Sequence, residues 1–316
     1  MFGKLLLILD SQKKQTLDSL KTILYFSIFR YPLKREEIHS YTNHLELQDT
    51  IVELDSLIEQ NILTKVDDFY IYGNDLESVP KRMKGNVLAS KVMERAESKA
   101  RFISKFPFVA AVGVSGSLSK GYYDSNSDID FFIITKPNRL WICRTILILY
   151  KKIFLLNSRK YFCPNYFISS EQLEIVEQNR FTATELKTLV PMYGRDHFER
   201  FYENNSWIKS YFKKFNPSLT NIPEIEKNFF TKNIESLLGS ALGDSIDCFF
   251  RSVTLRKWKA KFDYLSEEDF RIALKSTKNI SKHHPSNFQK KVILSLNAKL
   301  EEVQLKFNVV IPKEHV

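Results

Sequence analysis

PFVAAVGVSGSLSKGYYDSNSDIDFFIIT, residues 107–135, has the pattern of a strand, a small-residue turn and a second strand. FVAAVGV is an apolar run in which Gly113 predicts a close approach of backbone or ligand. SGSLSKG reads as a turn leading into a short helix, and DIDFFII as a strand whose side chains alternate between two faces. That alternation puts Asp128 and Asp130 on one face and Ile129 and Phe131 on the other. A strand bordered by so many large apolar residues is expected to be buried, where unpaired carboxylates are costly, so the acid pair calls for a cation. Magnesium prefers oxygen ligands and bridges carboxylates to triphosphate oxygens. The amides after Gly116 and the Ser117 side chain can cradle phosphates, and small residues at 115–117 let a triphosphate reach the backbone. Lys120, three residues after Ser117, can neutralise a phosphate or lie on an exposed helix face.

A Gly-Ser pair at 116 and 117, ten intervening residues and an Asp-Ile-Asp flanked by apolar positions resembles the signature of the polymerase-beta-like nucleotidyltransferase superfamily. Ser127, small and polar before the first aspartate, fits the same pattern. The resemblance implies that Gly116 and Ser117 contact the phosphates of a nucleoside triphosphate. It also implies that Asp128 and Asp130 are the catalytic carboxylates, holding Mg²⁺ or Mn²⁺. Active members carry a third carboxylate on a later strand. Here that strand is YFCPNYFIS, residues 161–169, after a helix from Leu140 to Leu156, and its polar interior position is Asn165. Asparagine can offer an oxygen to a metal ion but takes up no proton at physiological pH. Three outcomes stay open: transfer with two carboxylates, a substitute acid such as Glu174, Glu177 or Asp124, or nucleotide binding without transfer. Arg139 and Arg144 begin the intervening helix, and Arg144 is a candidate to reach the cleft.

On the N-terminal side, residues 16–30 carry a helical apolar period with Thr16 as a cap, residues 33–42 read as a second short helix and residues 48–60 as a third. ILTKV and FYIYG, split by Asp67-Asp68, predict a hairpin. Three helices and a two-stranded wing resemble a winged-helix domain. Its third helix region contains Glu46, Asp49, Glu53, Asp55 and Glu59 and neither Lys nor Arg, so phosphates would be repelled. The expectation is therefore a packing surface, or one that docks a protein partner or a second copy, rather than DNA binding. Residues 81–105 form a polar helical connector that Pro107 closes.

On the C-terminal side, residues 183–217 read as helical segments broken at Pro191 and stopped at Gly194. Tyr193, Arg195 and His197 form a local polar cluster, expected to be structural, that could shape the acceptor side of the cleft. Residues 225–262 read as helical, with Asp244 and Asp247 three apart inside a helix and Phe249, Phe250 and Trp258 packing a core or partner helix. Arg256, Lys257, Lys259 and Lys261 are the best nucleic-acid patch, equally explained as a charged helix face. His283 and His284 lie in surface-like sequence without metal-ligand neighbours, and NVVIPKE near the end reads as a short strand or tail.

The 316 residues, 43% of them hydrophobic, suffice for two or three domains with a substantial core. Net charge is +10, but residues 16–75 hold five basic and eleven acidic residues while residues 256–291 hold ten basic and four acidic ones. Cys143, Cys163 and Cys248 are spaced for neither a zinc knuckle nor a disulfide framework. The Leu5–Leu9 run is short for a secretion signal, and the Leu140–Leu156 stretch is interrupted by Arg144, Lys151 and Lys152; a cytoplasmic protein with no membrane contact is expected.

The sequence thus predicts an α+β protein: a winged-helix-like domain over 1–78, a helical connector over 79–106, a small mixed-sheet nucleotidyltransferase core over 107–200 and a helical, basic region over 201–316. The expected function is metal-dependent transfer of a nucleoside monophosphate from an NTP to an acceptor hydroxyl on a small molecule, protein or RNA, releasing pyrophosphate. The alternatives are a catalytically weak or inactive nucleotide-binding regulatory protein and a nucleic-acid-binding scaffold.

Overall fold

The computed structural model describes residues 17–158, 160–284 and 286–315. Thr16 and the Leu5–Leu9 run lie outside the described residues. The chain packs as two compact units, neither continuous in sequence. The first takes the chain up to Arg82, Lys209–Phe215 and the described residues from Val292, and the second takes Met83–Ile208 and Asn216–Lys291. Residues 201–316 are thus divided between the two units.

In the first unit, helices α1 (Asp18–Ser27), α2 (Arg35–Ser40) and α3 (Leu47–Glu59) are followed by the hairpin β2 (Leu63–Val66) and β3 (Phe69–Tyr72). A two-residue strand β1 (Leu33–Lys34), which propensity does not announce, pairs with β3 to give the antiparallel order β1-β3-β2. Leu20, Leu24, Leu54 and Leu57 are buried on the faces their periodicity assigns. One acid of α3 has turned inward. Glu53 accepts from the Ser19 and Leu20 amides at 3.0 and 3.2 Å at the start of α1 and lies 2.7 Å from His44 Nε2, which offsets the cost of its burial. Glu46, Asp49, Asp55 and Glu59 are exposed. NVVIPKE forms no strand: it is a tail, with Ile311 buried and Glu314 bonded through its backbone to Asn297.

After the connector helix α4 (Ser78–Ser104), the second unit runs β4 (Val109–Ser115), α5 (Gly116–Ser119), β5 (Asp130–Thr135), α6 (Leu140–Phe154), β6 (Cys163–Ser169), α7 (Arg180–Thr188), β7 (Val190–Tyr193) and α8 (Arg195–Asn204). Beyond the short α9 (Ile208–Tyr211), most of which belongs to the first unit, come α10 (Phe229–Leu237), α11 (Ala241–Lys261), α12 (Glu267–Ala273), β8 (Ile280–Lys282) and α13 (Phe288–Phe307), whose residues from Val292 belong to the first unit. The five strands form a mixed sheet in the order β7-β4-β5-β6-β8, with β5 and β6 parallel and the other neighbours antiparallel. This is an α+β core flanked by helical segments. Helix α6 makes the crossover between the parallel strands, and Trp141, Ile142 and Leu147 pack with Ile129, Phe131 and Phe162 in one buried cluster.

Several expectations change. The segment broken at Pro191 contains strand β7, and β8 is a second strand the pattern did not reveal; both are sheet edges, where a proline is tolerated. The helical stretch 225–262 divides into α10 and α11 around Gly239 and Ser240. Gly113 admits neighbouring backbone and not a ligand: a Cβ there would stand 3.2 Å from the Val190 carbonyl oxygen and 3.0 Å from the Phe198 ring, so its smallness serves packing of β7 and α8. Arg144 does not reach a cleft. It is half-buried between Trp141 and Trp258, 5.6 and 4.9 Å from the ring centroids, and desolvation there lowers its pKa to about 10. Trp258 is buried and Phe250 half-buried, whereas Phe249 is exposed. The run Arg256, Lys257, Lys259 and Lys261 is exposed on α11. Among the described residues no helix is long and apolar enough to cross a membrane.

Candidate active site

The quoted strand-turn-strand folds as its pattern requires. Strands β4 and β5 are antiparallel neighbours with Ser115 opposite Asp130, so the turn after β4 lies beside the start of β5. Gly116 makes that turn with φ +73°, and a Cβ on it would lie 2.5 Å from Asp130 Oδ2. Glycine is thus required both by the left-handed backbone and by the carboxylate beside it. The Ser117 hydroxyl is half-exposed and makes no hydrogen bond among the described residues, while its carbonyl accepts from the Lys120 and Tyr122 amides at 3.1 Å.

Ile129 is fully buried, and its backbone bonds to Lys160 and Cys163 at 3.0 Å, extending the pairing of β5 with the chain before β6. The alternation then brings Asp128 and Asp130 out on the opposite face, both half-buried. Asp128 makes no hydrogen bond or ion pair among the described residues. Burial, and next the Asp128 carboxylate, push the Asp130 pKa up to about 7. Asp124 is spent on its own loop, accepting from Tyr122 Oη, the Asn126 amide and Ser127 Oγ at 3.0, 3.0 and 2.9 Å.

Asn165 arrives through an irregularity in β6. Phe131 pairs with Pro164 and Phe132 with Tyr166, leaving Asn165 as the extra residue of a bulge. The bulge turns its side chain to Asp130: Nδ2 donates to Asp130 Oδ1, and Oδ1 accepts from Cys163 Sγ at 2.9 Å. The oxygen that could face a metal ion is therefore engaged with a thiol, whose pKa burial raises to about 12. Of the substitute acids, Glu174 is exposed and bonded to Gln178, and Glu177 is ion-paired to Lys275 at 2.8 Å.

Lys120 donates to the Gly116 carbonyl at 3.0 Å and pairs with Glu185 at 2.8 Å. Glu185 was not singled out in the sequence, although a signal existed. Asn179 caps α7 by accepting from the Thr182 amide at 3.0 Å, and from that start Phe181, Thr182, Glu185, Leu186 and Leu189 share one helix face. This face walls a cavity of about 110 Å³ that opens beside Ser115 and Asn165. Phe132, Tyr166 and Ile175 complete much of its apolar lining, while Glu177, Lys282, His284 and Gln289 supply polar groups. His284, expected at the surface, lies in this wall, and burial lowers its pKa to about 4.

The Tyr193 cluster stands elsewhere. Because β7 runs antiparallel to β4, with Val190 beside Val114 and Tyr193 beside Val112, the chain after Tyr193 leads away from Gly116. Tyr193 accepts from Arg101 at 3.0 Å, Arg195 pairs with Glu199 at 2.7 Å, and none of the cluster lines the cavity. Arg139 likewise serves the fold, bonding the Leu238 and Ser240 carbonyls at 2.6 and 2.9 Å.

Residues 95–236 match the family model described as a nucleotidyltransferase domain. A nucleotidyltransferase domain is present. It contains β4 to α10 and with them the turn, the acid pair and Asn165, and it is consistent with the polymerase-beta-like superfamily that the motif resembles. The domain supports a transferase-type function and interaction with a nucleotide substrate. Neither a curated protein nor a solved structure matches the chain. Among the described residues of the nucleotidyltransferase domain and the rest of the chain, no three His, Cys, Asp or Glu side chains group to hold a metal ion. The acid pair of the domain still fits a divalent cation, because two neighbouring carboxylates, one with its pKa pushed up to about 7, make no ion pair among the described residues.

Proposed function

We propose that the protein transfers a nucleoside monophosphate from an NTP to an acceptor hydroxyl, using Asp128 and Asp130 to hold Mg²⁺ or Mn²⁺. One observation carries this reading: two neighbouring carboxylates, without an ion-paired cation among the described residues, against a turn whose glycine makes room for the Asp130 carboxylate. In the reaction the acceptor oxygen bonds to the α-phosphorus, the bond from that phosphorus to the bridging oxygen breaks, and pyrophosphate leaves with the electron pair while the hydroxyl proton passes to water. The metal ion, when bound, neutralises phosphate charge and holds the triphosphate in line. Gly116 and Ser117 contact the phosphates through the turn amides and the free hydroxyl. Lys120, already held against the turn, adds positive charge. Asn165 holds Asp130 by its amide, and its oxygen would reach a metal ion only by leaving the Cys163 thiol.

Asn165 also favours a second reading, a nucleotide-binding regulatory protein, because it supplies no carboxylate where active members have one. The test is incubation with each α-labelled ribonucleoside triphosphate and Mg²⁺ or Mn²⁺, with cell extract as a source of acceptors, alongside Asp128→Asn/Asp130→Asn. Pyrophosphate release that the double variant loses establishes transfer. Aspartate-dependent binding without release selects the regulatory reading, and absence of metal-dependent binding removes both. We further assign the first unit's helices and hairpin to a winged-helix-like fold whose exposed acids on α3 suit a protein surface rather than DNA.

A further inference from the structure

The cavity beside Asn165 has a size, a lining and a charge that select a ligand. At about 110 Å³ it is of the order that encloses one six-membered ring. Phe132 and Tyr166, stacked with centroids 5.2 Å apart, form its floor with Ile175, and Phe181, Leu186 and Leu189 close it from α7. An apolar lining of this kind favours a ring over an extended polar chain.

Its charged groups are not balanced. Glu177 is matched by Lys275 at 2.8 Å and Glu185 by Lys120 at 2.8 Å, while His284 is held neutral by burial. Lys282 is different: it is 9% exposed, stands opposite Tyr166 in the β6–β8 pairing, and bonds only the neutral Gln289 Oε1, at 3.0 Å. No carboxylate lies within ion-pair distance of it among the described residues. Burial pulls its pKa down, and the Glu177 and Glu185 carboxylates, each already ion-paired to another lysine and beyond ion-pair distance of Lys282, only partly oppose that cost. An anion delivered by a ligand would relieve that cost through a charge-assisted hydrogen bond.

The other end of the cavity is the reaction centre, since Ser115 pairs with Asp130 and Asn165 bonds it. We infer that this cavity is the acceptor subsite and takes a ring compound bearing a carboxylate, with the ring between Tyr166 and α7, the carboxylate on Lys282 and a hydroxyl directed past Asn165 to Asp130. The acceptor role rests on the transfer reading; the preference for an anionic ring does not.

The test is calorimetric titration of the full chain with benzoate, benzyl alcohol and benzylamine, which share a ring and differ in charge. Benzoate is expected to bind at least about tenfold more tightly than benzyl alcohol, and benzylamine more weakly still. Lys282→Met keeps the apolar stem and should erase that order. Phe181→Trp, which fills the cavity and leaves Lys282 in place, should abolish binding of all three, and a thermal melt of each variant verifies that it is folded. Asp128→Asn/Asp130→Asn should keep the charge preference, and a parent protein that releases no pyrophosphate yet shows the preference separates failure of the transfer reading from failure of this one. Absence of binding, equal binding of the three probes, or a preference that survives in folded Lys282→Met overturns the subsite. Displacement of benzoate by Mg²⁺·NTP would overturn the acceptor assignment, because it would place the nucleobase in the cavity.

Discussion

The second unit contains two pairs of aspartates in similar local sequence, Ser127-Asp128-Ile129-Asp130 and Asp244-Ser245-Ile246-Asp247, and they have opposite fates. The last member of each is withdrawn from solvent, Asp247 buried and Asp130 half-buried, and both have raised pKa values, Asp130 at about 7 and Asp247 at about 6. Asp247 is consumed by the fold: its carboxylate accepts from the Ile142 amide at 2.8 Å, tying the first turn of α6 to α11. Asp244 is ion-paired to Arg139. At the other pair Asp128 has no partner among the described residues, and Asp130 lies against a turn trimmed to glycine. A shifted pKa therefore marks burial in both places, and the supply of donors separates a structural acid from one left for a ligand.

The strongest way to break this contrast is to neutralise each pair in turn. Asp128→Asn/Asp130→Asn should lower pyrophosphate release by on the order of a thousandfold or more while the fold is retained, since neutral amides remove the demand for a cation. Equal loss on neutralising Asp244 and Asp247 would erase the distinction. Gly116→Ala probes the geometry rather than the charge. With φ at +73° and the new Cβ 2.5 Å from Asp130 Oδ2, the carboxylate must move, and release should fall by about a hundredfold.

For the structural pair the expected effect lies in stability. Asp247→Ala leaves the Ile142 amide without its acceptor and should cost about 1–2 kcal/mol in urea unfolding, with release per folded molecule unchanged. The smallest effect is in pH. Because the Asp130 pKa is raised from 3.8 to about 7, the folded state gains from the proton on Asp130 at low pH and loses that gain as pH rises through about 7. A metal ion competes with the same proton. The rise in melting temperature caused by Mg²⁺ should therefore be about 2–4 °C at pH 8 and smaller at pH 6. A shift independent of pH would mean that Asp130 is not a ligand.

Much of this contrast was legible in the sequence because it rests on local rules. Alternation placed Asp128 and Asp130 on one face, the helical period gave α1, α3 and α6, and the apolar run around Asn165 gave β6. What escaped depends on partners distant in the chain. Strands β7 and β8 have four and three residues, too few for a period, and exist because the edges of β4 and β6 receive them. His284 reads as surface sequence but follows β8 into the cavity wall, and Lys282 is charged yet buried for the same reason. Arg144 is a candidate for the cleft in the sequence, and only the pair of tryptophans that encloses it reveals its packing role.

Helix α7 places Glu185 on Lys120 of the phosphate turn and Phe181, Leu186 and Leu189 against the cavity. Under the transfer reading proposed above, recognition of an acceptor and neutralisation of a triphosphate would be levers on one rigid rod of nine residues. A lineage that changes acceptor cannot freely tilt this helix, because tilting it would carry the Glu185 carboxylate away from the lysine. Altered specificity is cheapest at positions that exchange side chains without moving the rod, Phe181 at its first turn and Ile175 across the cavity, so the two substrates of one reaction constrain each other's evolution through a helix neither has to touch with its backbone.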